Sequence, residues 1–596
     1  MAATVRAQGE SLDLPKFTVL SPRVANQDPV ATVAMPVSSL RFEPAVDLQA
    51  RNFAEGQADV AIRGGIFANS SFSVGGLPLY DPQTGHYYAE VPVAPAMLGA
   101  PGVAVGAELA TRTWNATAGG INYGWRPVQA GGEIAVSAGE FGARRMDLIS
   151  GYDFGGGWGL DVAAAYSESD GPFANADHEI ARYTARLQHL DEGSASNLVV
   201  AYQDKFFGWP NLYTPFNSPE TEDLQTLLIA GTHRREFAAE EGWLELGAYY
   251  RRNDDNYAFN RFSPVGPVPP FKHTTTVAAA GGAARWSLDP DTAIETRLWF
   301  LTDDLESTSL RFGRFYSRHH LTGGAYLDHR ISAGAGRTIR LKGGFGYDGA
   351  SEGEGSLNPM AEVSFEQPGA TWTRWAAGFA KASQAPSYTA VAGNPNGGLF
   401  RGNPDLGRAT SDSFDVTGEF ASGDWTGSIG AFYRWDNELI DWTFRQGVFG
   451  RSASAVDLET YGIEVFARRS VENLDLVLGY SWLGKSADYG SVVADGSFYA
   501  LNFPNHRLTA AFTWRISDRL ELRLDNEVRW QEPNPLRING KDDAFLSSLG
   551  VYWQVPSMSQ LQLSLQVDNL WDSEFEEIPA VPAAPRMAAV GARWRW

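Results

Sequence analysis

The chain has 596 residues, with 48 Lys and Arg against 70 Asp and Glu, a formal net charge of −22 and no cysteine. So acidic a balance argues against a nucleic-acid binder, which needs clustered Lys and Arg to follow phosphates, and the missing Cys removes disulfide, thiolate-metal and Cys-nucleophile chemistry together. No apolar run is long enough for a transmembrane helix, whereas 63 Gly, 33 Phe, 22 Tyr and 19 Trp suit many short strands closed by turns and edged by aromatic rings.

Met1–Glu10 shows no apolar h-region, so a secretory signal is expected to be missing from this chain. A short β-prone run, Leu14-Pro15-Lys16-Phe17-Thr18-Val19-Leu20-Ser21-Pro22, is bounded by prolines and followed by a polar segment to about Pro44. Next come Asp59–Gly65, Phe72–Pro82 and Ala118–Tyr123, short β runs punctuated by Gly pairs of the kind that mark bulges or close backbone approach. Between them, Asp81-Pro82-Gln83-Thr84-Gly85-His86-Tyr87-Tyr88 opens on a turn and continues with groups that donate, accept and stack. His86 is read as an ordinary hydrogen-bonding residue rather than a metal ligand.

From Gly132 the period becomes two. Trp158, Leu160, Val162, Ala164 and Tyr166 share one face and Gly159, Asp161, Ala163, Ala165 and Ser167 the other. Further on, Leu520, Leu522, Leu524, Val528 and Trp530 alternate with Glu521, Arg523, Asp525, Glu527 and Arg529. Burying such charges unpaired would be costly, so the charged face is expected to see water and the apolar face lipid. At about 20 residues per tilted strand with its connection, the remaining roughly 470 residues make about 22 strands. A bore that wide leaks unless it is filled, and the N-terminal part is the available stopper.

The expectation is therefore an all-β membrane protein, a 22-stranded antiparallel transmembrane β-barrel with an N-terminal mixed α/β plug inside the lumen. Residues 1–45 form an N-terminal extension, 46–130 the plug and 131–596 the barrel. Segments 206–223, 253–272, 303–318, 383–408 and 487–503, rich in Pro, Asn, Asp and aromatics, are expected as extracellular loops. Their acidic residues Glu220, Glu222, Asp223, Asp254 and Asp255 are read as solvated charges, with Ca²⁺ bound through carboxylate oxygens as the alternative. None of the nine His stands in a His-Glu-x-x-His motif or near a Gly-x-Ser-x-Gly, so no catalytic residue is expected.

These motifs resemble those of TonB-dependent outer-membrane receptors. Ile62-Arg63-Gly64, Gly75-Gly76-Leu77-Pro78-Leu79 and Gly119-Gly120-Ile121-Asn122 are similar to the three plug strands of that family, with Gly75 in place of Asp and Gly106-Ala107 in place of a Gly-Pro. In the barrel, Ala382-Ser383-Gln384-Ala385-Pro386 with Gly402-Asn403-Pro404-Asp405-Leu406 resembles a Phe-Arg-Ala-Pro and Asn-Pro-Asn-Leu pair that has lost its Phe-Arg. Glu459–Glu464, Asp568–Asp572 and the terminal Trp596 resemble a strand start, the approach to the last strand pair and the assembly signal.

The resemblance implies an outer-membrane location, contact with membrane lipid, and active import of a scarce, large ligand. It places a TonB box at Phe17, Thr18, Val19 and Leu20, where an extended segment pairs edge to edge with the energy-coupling protein TonB. It places ligand contacts on the plug apex at Asn69, Asp81, Gln83, Thr84, His86, Tyr87 and Tyr88, and makes Arg63 a candidate for an ion pair with a lumen-facing Glu. No resident cofactor or metal is implied, and a surface lipoprotein is left open as a second partner. No His lies between the two barrel motifs, which disfavours haem. Asp204-Lys205-Phe206-Phe207-Gly208 resembles cobalamin-type receptors, so a cobalamin-type or other metal chelate is the expected ligand, a ferric siderophore the alternative, and a passive porin or adhesin the rival.

Overall fold

The computed structural model describes residues 26–237, 242–263, 265–266, 268–537 and 541–596; Phe17, Thr18, Val19 and Leu20 lie outside the described residues. Twenty-two antiparallel strands, from Gly131–Gly139 to Met587–Arg595, each pair with the next. The last strand returns to the first, from Ala589 opposite Gly139 to Arg595 opposite Glu133, so the sheet closes and no edge is left unpaired. Two two-residue strands, Phe400–Arg401 and Gly496–Ser497, sit on its rim.

Alternation along each strand sets which side faces lipid. Arg507 is 2% exposed, Leu508 44% and Thr509 3%, the inverse of a water-soluble sandwich. Trp158, Trp286, Trp372, Trp514, Trp553 and Trp594 are exposed near one rim, where aromatic side chains mark a lipid–water boundary. That rim carries short turns such as 472–473 and 518–519, and the opposite rim carries long connections such as 209–220, 385–408 and 569–586. In outer-membrane barrels these are the periplasmic and extracellular ends.

The structure departs from the sequence expectations at the strand ends and at the inner charges. Several expected loop segments are strand at their ends, as at 206–208, 221–223, 253–258 and 303–307, and the longest strand, Arg451–Val471, has 21 residues. The outward residues in and next to these extensions include the exposed Asp204, Gln225, Arg252, Lys272, Asp304 and Glu306. Strands that rise beyond the lipid need no apolar outer face, so the period that identifies a membrane strand fades there. Asp525, Glu527 and Arg529, expected to face water, are buried instead. Glu527 accepts from Arg507 at 2.7 Å and from Arg529 at 3.2 Å, and Arg529 reaches Asp47 of the plug at 2.8 Å. Charge on the inner wall is tolerated because neighbouring strands and the N-terminal residues inside the bore together pair or hydrogen-bond it.

The plug has two small sheets. Val46–Arg51 pairs with Gln57–Ile62, and a second sheet has the order Leu77–Leu79, Ser70–Val74, Gly119–Tyr123, Gly102–Ala104. Ser70–Val74 runs parallel to Gly119–Tyr123, which requires a crossover, and the connection carries the short helix Glu108–Arg112. Gly75 and Gly76, at φ +58° and +84°, make the two-residue hairpin turn, whose central residues both need positive φ. Val46, Leu48, Val60, Ile62, Phe72, Val74, Leu77 and Ile121 form its core and are each 2% exposed or less.

Wall contacts surround this unit. Arg186 donates to the Arg126 carbonyl at 2.6 Å, Arg251 pairs with Asp81 at 2.9 Å, and Tyr326 donates to the Ala110 carbonyl at 2.8 Å. Asn69 reaches Gln384 at 2.9 Å, and the carboxylate that meets Arg63 is Glu464, at 2.8 Å. Asn26–Pro44 also packs within the wall, where the Thr32 hydroxyl donates to Asp568 at 2.6 Å. Only a body enclosed by the barrel touches it in so many sectors.

Candidate functional site

The plug surface that faces the long loops is covered by them. Ile66, Phe67 and Tyr87 of the plug join Trp209, Leu212 and Tyr213 of the connection 209–220, Leu399, Phe498, Tyr499 and Ile578 in one buried apolar cluster. At its centre His86 stacks on Phe67, with ring centroids 4.0 Å apart and planes at 14°, and lies 5.5 Å from Tyr213 and 5.8 Å from Tyr499. Its Nδ1 meets Asp59 Oδ1 at 2.6 Å, and Asp59 also takes an ion pair from the buried Arg51 at 2.8 Å. Burial holds the His86 imidazole below its ordinary range, with the positive charges of Arg51 and Arg451 adding to this and Asp59 opposing it. Burial also opposes ionisation of Asp59, but His86 and Arg51 outweigh it and keep that carboxyl below the usual carboxylate range.

The remaining apex residues contact the wall. Gln83 donates through Nε2 to Asp255, the Tyr87 hydroxyl donates to Glu222 at 3.1 Å, and burial with Asp255 and Glu222 drives the Tyr87 phenol well above its ordinary value, so it remains a donor. Asp81 is fully buried, and burial raises its carboxyl although Arg251 lies at 2.9 Å. At the opposite end a cavity of about 1240 Å³ separates plug from wall, lined in part by Gly75, Arg112, Trp125, Glu245, Arg285 and Arg374.

The closed wall is matched by sequence, and wall and N-terminal domain together by shape. The family described as TonB dependent receptor-like, beta-barrel matches residues 100–570. The chain belongs to the TonB-dependent receptor family. Members are outer-membrane transporters and receptors of Gram-negative bacteria. Among solved structures, the FrpB iron transporter of Neisseria meningitidis (F3-3 variant) superposes on the receptor with a TM-score of 0.75 at 13% identity, over 96% of this chain and 98% of that one. The siderophore receptor PirA of Pseudomonas aeruginosa gives 0.71 at 16% identity over 96% and 97%, and the copper transporter OprC 0.76 at 15% identity over 97% and 98%. At such identities the likeness is one of fold. No curated protein matches the sequence.

Within the receptor, Asn69, Asp81, Gln83, Tyr87 and Tyr88 are buried under the loops, and Thr84 and His86 are partly so. The structure brings Asp81, Gln83, His86 and Tyr87 to one level of the bore and turns them towards the wall and loops. The loop carboxylates are corrected: Glu220, Glu222 and Asp255 are buried, and only Asp223 and Asp254 retain partial exposure. Glu220 accepts from the Tyr213 amide at 2.9 Å and the Tyr257 hydroxyl at 2.9 Å, which ties its loop down. Sequence reasoning missed Tyr213, Arg451, Phe498 and Tyr499. No local motif marks them, because they come from three segments far apart in the chain.

Proposed function

We propose that the receptor imports a ferric siderophore across the outer membrane, using energy delivered through TonB at Phe17, Thr18, Val19 and Leu20. The observation that carries this reading is the stoppered bore: a plug held by buried ion pairs in several sectors, including Arg63–Glu464, Arg251–Asp81 and Arg529–Asp47, has no place in a passive pore. Solutes can pass only if the plug shifts or partly unfolds, which requires work supplied from outside the barrel. Relatives of the same architecture described as an iron transporter, a siderophore receptor and a copper transporter support a metal-bearing cargo, and two of these three point to iron. The siderophore thus takes the place of the cobalamin-type ligand expected from Asp204–Gly208, two of whose side chains have structural work: Lys205 is buried on Glu90, and Phe207 is fully buried beside Gly56.

Binding of ferric siderophores and of cyanocobalamin to the purified receptor, with uptake in cells carrying Val19→Pro, tests the proposal. Saturable siderophore binding with energised uptake lost in Val19→Pro is expected. Uptake that survives both this variant and an uncoupler would return the protein to the passive pores, and binding of cyanocobalamin alone would replace the ligand.

A further inference from the structure

We infer that Arg451 is the charge-recognition residue for an anionic chelate that presents aromatic oxygens, such as a ferric catecholate, admitted when the loops over the plug part. The inference rests on the siderophore reading and narrows it to one charge class.

Buried arginines of this receptor are characteristically neutralised. Arg51, Arg63, Arg251, Arg318, Arg507 and Arg529 each have a carboxylate within 3.4 Å. Arg451 is 6% exposed and has no carboxylate within ion-pair distance among the described residues. Its Nη1 donates to the Tyr499 hydroxyl at 2.8 Å, its Nη2 donates to the Tyr213 carbonyl, and its Nε has no partner among the described residues. The guanidinium lies over the Phe498 ring at 3.7 Å from the centroid. Glu220 feels its charge but is held by Tyr213, Thr214 and Tyr257. Arg182, the other buried arginine in this condition, bonds the Met35 sulfur against the N-terminal segment, away from any loop.

Arg451 stands where the covering loops converge. Its amide donates to the Leu399 carbonyl at 2.9 Å, Tyr213 belongs to 209–220, and Phe498 and Tyr499 belong to 489–503. Phe449, two residues earlier, stacks on Phe216 of the 209–220 connection at 4.8 Å with both rings exposed, so the seam between these loops is aromatic at its surface as well as beneath. When the loops lift, the guanidinium exchanges two neutral oxygens for anionic ones, and hydrogen bonds to an ionised acceptor are about twice as strong. The same rings offer stacking surfaces to an aromatic ligand. Tyr213 and Tyr499 also touch His86, so a ligand that takes Arg451 from them disturbs the plug directly.

The test uses the full-length receptor in detergent with two ferric probes, an anionic tris-catecholate complex and a neutral trihydroxamate, read by quenching of tryptophan fluorescence. Arg451→Gln should weaken the catecholate about 100-fold, as expected for loss of one desolvated charge pair, with Arg451→Lys recovering part of it. Tyr499→Phe, which removes a competing partner, should tighten catecholate binding several-fold, whereas a purely structural arginine would give weaker binding. Equal catecholate affinity in wild type and Arg451→Gln, weakened binding in Tyr499→Phe, or binding of the trihydroxamate alone would each overturn the inference while leaving siderophore import intact. Failure of both probes to bind, with cyanocobalamin bound instead, would overturn the reading on which it rests.

Discussion

Arg63 of the plug and Glu464 of the barrel wall face each other in a two-pronged ion pair, Nε to Oε1 at 3.0 Å and Nη2 to Oε2 at 2.8 Å, with the guanidinium over Phe432 at 4.6 Å from the ring centroid. Arg434 adds a bond to the Arg63 carbonyl at 3.2 Å, so one residue is held by side chain and backbone alike. The plug is thus fixed to its wall by a contact that must break if it leaves as a unit.

Removing one partner strands a buried charge, and Arg63→Ala or Glu464→Ala is expected to destabilise plug docking by about 3–5 kcal/mol. Replacing both with apolar residues of similar size should restore most of that loss. Limited proteolysis of the plug in the intact barrel measures both. A double variant as sensitive as the singles would show that the pair is not the docking element.

His86 and Asp59 each make the plug less stable in acid, against an opposite contribution from Asp81, whose carboxyl burial raises. The folded His86 titrates below its unfolded value of about 6.5, so as pH drops through that value the unfolded chain takes up a proton that the folded one resists. Asp59, held below its unfolded value of about 3.9, contributes stability above that pH and loses it as pH falls through the lower folded value. The His86 share of that stability, the difference between the melts of wild type and His86→Asn, is expected to be level from about pH 8 to 6.5 and to decline below. A difference that does not change with pH would locate the acid sensitivity elsewhere.

The N-terminal strap is held by Asp525, which accepts from the Val30 amide at 2.6 Å and the Asn26 side chain at 2.8 Å. Asp525→Ala leaves both donors without this partner, at about 1–3 kcal/mol. Hydrogen exchange in residues 26–33 should accelerate while the barrel melt stays where it was. Unaltered exchange at Val30 would mean that Asp568, through Thr32, suffices.

A side chain at Gly76 would meet the Glu245 carboxylate and sit at φ +84°, so Gly76→Val should cost about 1–3 kcal/mol and expose the plug to protease. Gly334 serves as the control: its φ is +74° with open space around it, so Gly334→Ala carries the backbone term alone, about 1 kcal/mol. Equal effects would show that the plug accommodates the added side chain by moving Glu245.

Alternation with a period of two determined, from the sequence by itself, that Leu520, Leu522 and Leu524 lie opposite Glu521, Arg523 and Asp525, and chain length over strand length gave the 22 strands that the closed sheet contains. Gly75-Gly76 marks an interruption in the sequence, of the bulge or close-approach kind, and only the fold makes it a two-residue hairpin turn with positive φ at both positions. What the inner charges face was decided only by tertiary structure. Asp525, Glu527 and Arg529 are dry because residues hundreds of positions earlier fill the bore, and no local pattern records a partner so distant. The candidate site is non-local in the same way: Tyr213, Arg451, Phe498 and Tyr499 meet only after closure brings their loops together over His86. Periodicity fixes which side of a strand a residue occupies; which strand-ends converge is set by the closed wall and the body inside it.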